Sequence, residues 1–489
     1  IDTAELIVIN TCAIREAAEQ KVVGRQGHLG RLKAANPALR IVLTGCAVRE
    51  RDRTGLARRF PAVDLFLRPD EEPELVDRLG LASAQAPIGA PGSGDTGVFG
   101  GRVGTAGAVG ATTIVGRTVV GAADRLPATR AGAVASGAVA RSSAISAWLP
   151  IVYGCDKTCT YCIVPFSRGP ERSRPFDDVV EEARSLAAAG YREVTLLGQN
   201  VNSYGHDLPA EPRFGHVATR RWAGRRLDLD GRPDLAELLR AIDGLRASDG
   251  APAIPRLRFL TSHPWDLSDR LVSAISECPS VCEHLHLPVQ SGDDAVLHRM
   301  GRQYTIEHYL ERLGAIRRAL PGIAISTDVI VGFCGETEGQ FRATLDLLRE
   351  VRYDQVFAAA FSPRPGTPAA RLPDDVPPAE KRRRLNELLA VQEAIGLERN
   401  RAWLELETEV LVDAIVPPRG HDHEDEAAHE GAHRGAQAPT GDGTVHLAGR
   451  TRESKLVHLS GDPALLGRLV RARIEHAGPY ALRGVPVQA

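Results

Sequence analysis

Three cysteines fall within eight residues, in the run Gly154-Cys155-Asp156-Lys157-Thr158-Cys159-Thr160-Tyr161-Cys162. This C-x3-C-x2-C spacing follows a predicted strand and can wrap one corner of a cubane, ligating three of its four irons. The fourth iron then lacks a protein ligand, and an open coordination position separates a catalytic metal centre from a closed structural one. Zinc ordinarily takes a fourth Cys or His close by, and none follows within fifteen residues. Cys278 and Cys282 repeat the C-x3-C spacing, but no third thiol follows and the pair straddles a predicted helix-to-strand turn, so packing is their expected role. Three thiols this dense suit metal ligation rather than disulfide stapling and point to a reducing cytoplasm.

The elements that must hold these thiols follow from hydrophobic period. Residues 6–10 and 41–44 read as buried strands around a helical stretch at 15–35, a βαβ unit, with a third strand at 63–67. Residues 83–146 are dominated by Gly, Ala, Ser and Thr and bury too little to offset their ordering entropy, so a flexible insertion is expected. From Trp148 strands alternate with amphipathic helices. Strands are predicted at 149–153, 192–197, 256–260, 283–287, 323–331 and 355–361, and helices at 177–189, 234–246, 267–277, 305–319, 337–351 and 379–400. Six β/α alternations imply a parallel sheet, open or partly closed into a barrel, with ligands at the carboxyl ends of its strands. Residues 205–231, rich in Arg, Gly and His, interrupt the second unit as a loop insertion. After Trp403 short strands at 407–413, 444–449, 455–459 and 469–478 predict a small β-barrel. Residues 417–443 split it; their four His are read as a disordered tract, because nothing apolar there would hold metal ligands in place.

The 489 residues leave room for about two to four domains. The composition, 43% hydrophobic and 25% charged, is that of a soluble globular protein. A net charge of −2 gives no global basic field, although a local patch can still bind RNA phosphates. No apolar run reaches the length of about 18 residues that spans a bilayer, so no membrane partner is expected. The chain has one Met, Met300, and starts at Ile1, so a missing N-terminal segment is expected. The expected division is 1–82, an insertion 83–147, a core 148–402, and a C-terminal barrel 403–489.

The cysteine run, with an aromatic before its last Cys and a six-unit β/α domain behind it, resembles the radical S-adenosylmethionine superfamily. That resemblance implies that the open iron chelates the amino and carboxylate groups of S-adenosylmethionine, whose reductive cleavage yields methionine and a 5′-deoxyadenosyl radical. The segment Asn10-Thr11-Cys12-Ala13-Ile14-Arg15-Glu16 resembles the N-terminal signature of the tRNA methylthiotransferases of the MiaB type, and Thr44-Gly45-Cys46-Ala47 their next cysteine. CTYCIVPFSRG (159–169), LLGQNVNSYG (196–205), TSHP (261–264), LHLPVQSG (285–292), STDVIVGF (326–333) and FSPRPGTPAA (361–370) are similar to further motifs of that family.

The resemblance implies an α/β chain: an N-terminal βαβ methylthiotransferase domain, a central partial (β/α)6 radical barrel, and a C-terminal barrel similar to the TRAM RNA-binding module. It implies two [4Fe–4S] clusters. The radical cluster would lie on Cys155, Cys159 and Cys162, and an auxiliary cluster on Cys12, Cys46 and a third ligand expected upstream of Ile1. Without that ligand, loss of sulfur donation is expected. The implied reaction adds a methylthio group to C2 of N6-isopentenyladenosine beside the anticodon, a second S-adenosylmethionine giving the methyl group. Sister branches act on threonylcarbamoyladenosine in tRNA or on a ribosomal protein; a non-catalytic RNA-binding protein with a structural metal is the reading from another class. Cofactor contacts are expected from Tyr161, Gln199, Asn200, Gln290, Ser291 and Asp328, the last five at predicted strand ends; no residue is assigned as catalytic. RNA contacts are expected from Arg168, Arg172, Arg174, Arg364 and the C-terminal barrel, while Lys381-Arg382-Arg383-Arg384 reads equally as RNA patch or solvated face. Cys334 reads as a neutral loop substitution. The expected partners are the tRNA anticodon loop and an electron donor such as flavodoxin or ferredoxin, for a cytoplasmic monomer.

Overall fold

A computed structural model describes residues 4–11, 23–45, 47–48, 53–69, 71–80, 141, 143–215, 219–222, 225–416 and 444–487. The chain divides into two compact units, Ile1–Ala135 with Phe166–Arg168, and Ser136–Pro165 with Gly169–Ala489.

In the first unit, β1 (Leu6–Thr11), β2 (Arg40–Gly45) and β3 (Leu65–Leu67) form a parallel sheet in the order β1-β2-β3. Helices α1 (Gln26–Ala35) and α2 (Arg53–Arg59) connect them. From Ile41 to Gly45 every β2 residue is buried, the unbroken apolar run of a covered parallel strand. Ile7, Ile9, Leu29, Leu39, Ile41, Leu43 and Phe60 make the core. Of the helix expected at 15–35, only the part from residue 23 lies within the described residues.

The second unit opens with β4 (Ser146–Pro150), then β5 (Val152–Tyr153), which pairs antiparallel with β6 (Arg172–Ser173). The strand expected at 149–153 therefore starts three residues earlier and breaks after Pro150. Ile151 still donates to the Leu197 carbonyl (2.8 Å), while Val152 and Tyr153 turn aside to β6. There follow α3 (Phe176–Ala188), β7 (Glu193–Leu197), the hairpin β8 (Thr219–Trp222) and β9 (Arg225–Asp228), α4 (Leu235–Asp243), β10 (Arg256–Phe259) and α5 (Asp269–Glu277). Then come β11 (His284–His286), α6 (Asp294–Arg299), α7 (Ile306–Ala319), β12 (Ala324–Val331), α8 (Glu338–Val351), β13 (Gln355–Ala360) and α9 (Pro378–Arg401). The parallel sheets β10-β7-β4 and β11-β12-β13 are joined by a parallel bridge between Leu257 and Val281. Six strands thus follow one another in sequence order, the winding of a partial (β/α) barrel. Five helices begin on N-cap side chains, Asp234, Ser268, Asp293, Thr305 and Thr337, each accepting a backbone amide of the first turn. The insertion at 205–231, read as a loop, carries the β8–β9 hairpin.

The C-terminal strands β14 (Glu407–Ile415), β15 (Val445–Arg450), β16 (Leu456–Gly461), β17 (Leu469–Ala477) and β18 (Leu482–Pro486) close into a barrel in the order β14-β15-β16-β18-β17. Val410, Val412, Leu447, Val457, Leu459, Ala472, Ile474 and Leu482 fill it. The five strands thus form a small closed barrel, as the sequence pattern predicted. β18 was not expected, since LRGVP shows no alternation.

A buried charge lattice fixes this barrel to the amino ends of the central strands. Arg256, fully buried, donates to the Arg450 carbonyl (2.5 Å) and to the carbonyl and carboxylate of Glu409 (3.0 Å each). Arg258 reaches Glu193 (2.7 Å) and the carbonyls of Thr451 (2.7 Å) and Arg452 (2.8 Å). Arg452 pairs with Glu283 (2.6 Å), and Lys455 with Asp354 (2.8 Å). Among the described residues no helix is long and apolar enough to cross a membrane.

Candidate cluster and cofactor site

The cluster loop leaves β5 through Gly154, whose φ of +77° and position against the Pro170 carbonyl (2.1 Å from any added Cβ) admit only glycine. The Gly154 amide donates to Gln199 Oε1 (2.6 Å), so the loop is hung on the carboxyl end of β7. Thr160 fixes its middle: its amide and hydroxyl donate to the carbonyls of Met300 and Arg299 (2.8 Å each), and its carbonyl accepts from Ala369 (2.9 Å). Cys155 and Cys159 are buried and Cys162 half-buried. The Lys157 amide lies 3.5 Å from Cys155 Sγ, and Arg302 Nη1 lies 3.4 Å from Cys159 Sγ.

Burial drives the Cys155 thiol well above its ordinary value, and the neighbouring Cys159 and Cys162 push it further up, against the pull of the Lys157 amide. Iron reverses that balance, because its positive charge favours thiolate. Among the described residues no three His, Cys, Asp or Glu side chains converge as a single ion requires. A cubane spreads three thiolates over three irons, so the donor set, three soft sulfurs in one loop, fits a cluster better than a lone ion.

Beside this loop is a buried cluster of polar side chains. Lys157 Nζ, 4.4 Å from the Trp265 ring centroid, pairs with Asp266 (2.7 Å), which also accepts from Asn200 Nδ2 (2.6 Å). The Val201 amide donates to the Thr261 carbonyl (2.9 Å), joining the loops that follow β7 and β10. There Asn200 Oδ1, both amide atoms of Asn202 and Ser262 Oγ are buried and find no hydrogen-bond partner among the described residues. Each such group costs about 1–3 kcal/mol, which a polar ligand recovers by bonding it. Thr261 (φ +70°) and Gln290 (φ +73°) are left-handed on this same face, strain of the kind that collects at ligand sites. The donors and acceptors fit the amino-acid and sugar ends of S-adenosylmethionine.

Glu171, also buried in this cluster, is pushed up to about 8 by burial, partly opposed by the Ser203 hydroxyl that donates to it. Its folded value thus exceeds its ordinary 4.5. The protonated carboxyl stabilises the fold fully below pH 4.5, and that contribution is lost as pH rises through 8. The Glu171→Gln variant, neutral throughout, is expected to gain on the wild type by up to about 1.4 kcal/mol per pH unit across this window. Denaturation at a series of pH values checks it; parallel stability curves would contradict it.

The expected cofactor residues divide. Gln199 holds Gly154, and Asn200 holds Asp266. Tyr161 packs half-buried against Met300, Phe333 and Phe361, its phenol raised by burial despite Arg302 nearby. Gln290 is buried and its backbone is bonded to Asp328 and Ile330 (2.9 Å each). Two placements differ from expectation. Asp328 lies inside the eight-residue β12, not at a strand end, with Oδ2 3.4 Å from His286 Nε2. Ser291 is fully buried against α8, 3.5 Å from the Thr344 hydroxyl and accepting from the Asp293 amide (3.3 Å), a loop-fixing role. The sequence reading missed Lys157, Glu171, Asn202, Ser262, Asp266 and Arg302; the position of Lys157 inside the cysteine run was the available signal.

Cys12 and Cys46 lie outside the described residues. The residues before them, Thr11 and Gly45, are register partners, and the Thr11 hydroxyl donates to the Thr44 carbonyl (2.6 Å). Cys278 and Cys282 are buried as packing residues, and Cys334 is buried with Phe333 and Phe361 rather than in an open loop.

Of the expected RNA contacts, Arg174 is corrected: it is buried, paired with Glu182 (2.7 Å) and donating to the Pro150 carbonyl (3.0 Å). Arg172 is exposed beside Tyr153 (5.2 Å), and Arg168 and Arg364 are half-buried. The run 381–384 is neither patch nor simple solvated face. Lys381 and Arg384 are buried on Asp374 and Glu336, while Arg382 and Arg383 are exposed.

Residues 149–348 match the Radical SAM superfamily, and residues 1–68 the uncharacterized protein family UPF0004. The tRNA-2-methylthio-N(6)-dimethylallyladenosine synthase of Carboxydothermus hydrogenoformans is 39% identical over 99% of this chain and 91% of its own length. That of Moorella thermoacetica is 37% identical over 99% and 90%. Among solved structures, the radical S-adenosylmethionine methyltransferase TsrM of Kitasatospora setae aligns at a TM-score of 0.46 and 17% identity, over 71% of this chain and 62% of that one.

Proposed function

The chain belongs to the tRNA-2-methylthio-N(6)-dimethylallyladenosine synthase family of radical S-adenosylmethionine enzymes, and from that premise we propose that the loop 155–162 carries its radical cluster and the adjoining polar cluster binds its S-adenosylmethionine. The enzyme is a transferase that adds a methylthio group to C2 of N6-isopentenyladenosine in tRNA, using S-adenosylmethionine and two [4Fe–4S] clusters. When bound, these groups supply one-electron radical chemistry and the methyl group.

The observation that carries the site assignment is that the loop of three thiols, tied through Lys157 and Asp266 to Asn200, lies beside buried polar atoms that find no partner among the described residues. In this reading Cys155, Cys159 and Cys162 ligate three irons. Gln199 and Thr160 hold the loop backbone, and Arg302 donates to the Cys159 sulfur. Asn200, Asn202 and Ser262 bond the polar end of S-adenosylmethionine, with Asp266 orienting Asn200. Tyr161 and Gln290 border the cofactor; Ser291 and Asp328 support the loops and strands around it. Cys12 and Cys46, each following one of two paired strand ends, contribute to the second cluster. The C-terminal barrel is a TRAM-type module that, with Arg172 and Arg364, binds the anticodon loop. A flavodoxin or ferredoxin reduces the enzyme, which works as a cytoplasmic monomer.

The test is anaerobic turnover with reductant, S-adenosylmethionine and isopentenylated tRNA, followed by mass analysis of the digested nucleosides. Methylthio on isopentenyladenosine is expected; methylthio on threonylcarbamoyladenosine instead would move the chain to the sister branch.

A further inference from the structure

We propose that Arg302 is the counter-charge of the radical cluster and raises its reduction potential, so that an electron donor can reduce it; the role rests on the cluster reading above. Eight Lys and Arg side chains are buried among the described residues. Seven of them sit on a carboxylate, Lys157 on Asp266, Arg258 on Glu193 and Arg384 on Glu336 among them. Arg302 is the exception: among the described residues no carboxylate pairs with its guanidinium. Its nitrogens donate instead to the Tyr304 hydroxyl (2.9 Å), the Pro288 carbonyl (2.9 Å) and Cys159 Sγ (3.4 Å). A buried cation without an anion is costly. Of its three acceptors the carbonyl is neutral, and burial pushes the Tyr304 phenol up to about 12. The sulfur alone becomes an anion, when it ligates iron.

The chain is built to deliver this one guanidinium. The segment after α6 runs along the cysteine loop, where the carbonyls of Arg299 and Met300 accept from Thr160. At Gly301 (φ +70°) an added Cβ would stand 2.6 Å from the Thr158 carbonyl, so only glycine lets the two backbones approach this closely. The next residue is Arg302, whose amide donates to the Leu297 carbonyl (2.9 Å). Its guanidinium lies 5.0 Å from the centroid of the Tyr304 ring, and the Tyr304 hydroxyl donates to the Val289 carbonyl (2.9 Å). Backbone, ring and carbonyl thus aim the side chain at Cys159 before any iron binds.

The consequence is electrostatic. Three thiolates make a cubane anionic, and the electron that activates it adds one more negative charge. A fixed positive charge beside a ligand sulfur therefore favours the reduced state over the oxidised one. Net charge and hydrogen bonds to the sulfurs are among the factors that set the potential of such a cluster, and Arg302 supplies both from a buried position where salt screens little. Lys157, the other buried cation beside the thiols, is already paired with Asp266. Acting through the sulfur rather than on substrate, Arg302 is a positioning residue of the centre.

The experiment follows the reduced cluster by electron paramagnetic resonance in anaerobic holoenzyme poised at a series of potentials. The signal that S-adenosylmethionine perturbs marks the radical cluster. Arg302→Met is expected to lower its midpoint, so that the ratio of reduced to oxidised cluster at a fixed potential falls at least about tenfold, a shift of about 59 mV for one electron. Arg302→Lys keeps the charge and should shift the midpoint by clearly less. Tyr304→Phe loosens the same segment without touching the charge and should stay near the wild type. An Arg302→Met enzyme with wild-type iron content and the wild-type midpoint would overturn the proposal. So would a Tyr304→Phe shift as large as that of Arg302→Met, which would assign the effect to loop geometry. If Arg302→Met holds no iron, urea unfolding of the iron-free proteins decides. There the guanidinium is a buried charge lacking its anion, so the Met variant should unfold at the same or higher urea than the wild type. A clearly lower unfolding midpoint would make Arg302 a structural prop and overturn the role. A wild-type loop that binds no iron would instead overturn the cluster reading on which the role rests.

Discussion

Replacing Lys157 by Met is expected to destabilise the central barrel by about 3–5 kcal/mol, because it strands a buried carboxylate. The side chain of Asp266 is fully buried, and Lys157, itself almost inaccessible, is 2.7 Å from it. Asn200 also donates to that carboxylate, but it carries no charge. The loss should reach the cluster, since the Lys157 amide faces Cys155 and its side chain ties the cysteine loop to the segment after β10. Lower iron content after anaerobic reconstitution should accompany the lower unfolding midpoint. Lys157→Met combined with Asp266→Leu should recover most of the stability, since removing both charges also removes the cost of burying them. A double variant no more stable than the single one would show that packing, not the unpaired charge, explains the loss.

The second large effect is expected at the opposite end of the strands. Arg258→Met leaves the Glu193 carboxylate and the carbonyls of Thr451 and Arg452 without their donor in a buried joint. A loss of about 3–5 kcal/mol follows from the same rule. Unlike the Lys157 change, it should loosen the C-terminal barrel. Hydrogen exchange is expected to rise at 450–455 while the cluster loop keeps its protection. Unchanged exchange at 450–455 would contradict the role given to Arg258, leaving Arg256 and Arg452 to hold the joint.

The long periodic elements were legible because their pattern is local. Helix α8 announces itself by Thr337 and Gln340, which form a capping box, followed by Phe341, Leu345 and Leu348 on one face. Helix α9 and strand β12 were equally plain. The cysteine run was legible for the same reason, since chemistry and spacing sit within nine residues. What the sequence hid is pairing at a distance. Lys157 and Asp266 are 109 residues apart, and Arg384 and Glu336 are 48 apart, so a buried partner and an exposed charge read alike until the chain is folded. Arg174 was misread for that reason, its partner Glu182 lying on the next helix. Asp328 was assigned to a strand end although the predicted strand 323–331 already held it inside, as β12 does. Arg256 and Arg258 look anomalous inside a buried strand, and only the docked barrel supplies the acceptors that explain them.

The proposed radical chemistry depends most directly on the three cysteines of the loop. The measurement is 5′-deoxyadenosine formed under anaerobic turnover with reductant, S-adenosylmethionine and tRNA, compared between the wild type and Cys159→Ala. The wild type is predicted to form it only when reductant is present, and Cys159→Ala to form none above background, with about four fewer irons per chain. An iron-loaded wild type that leaves S-adenosylmethionine intact, or a Cys159→Ala enzyme that cleaves it at the wild-type rate, would contradict the assignment.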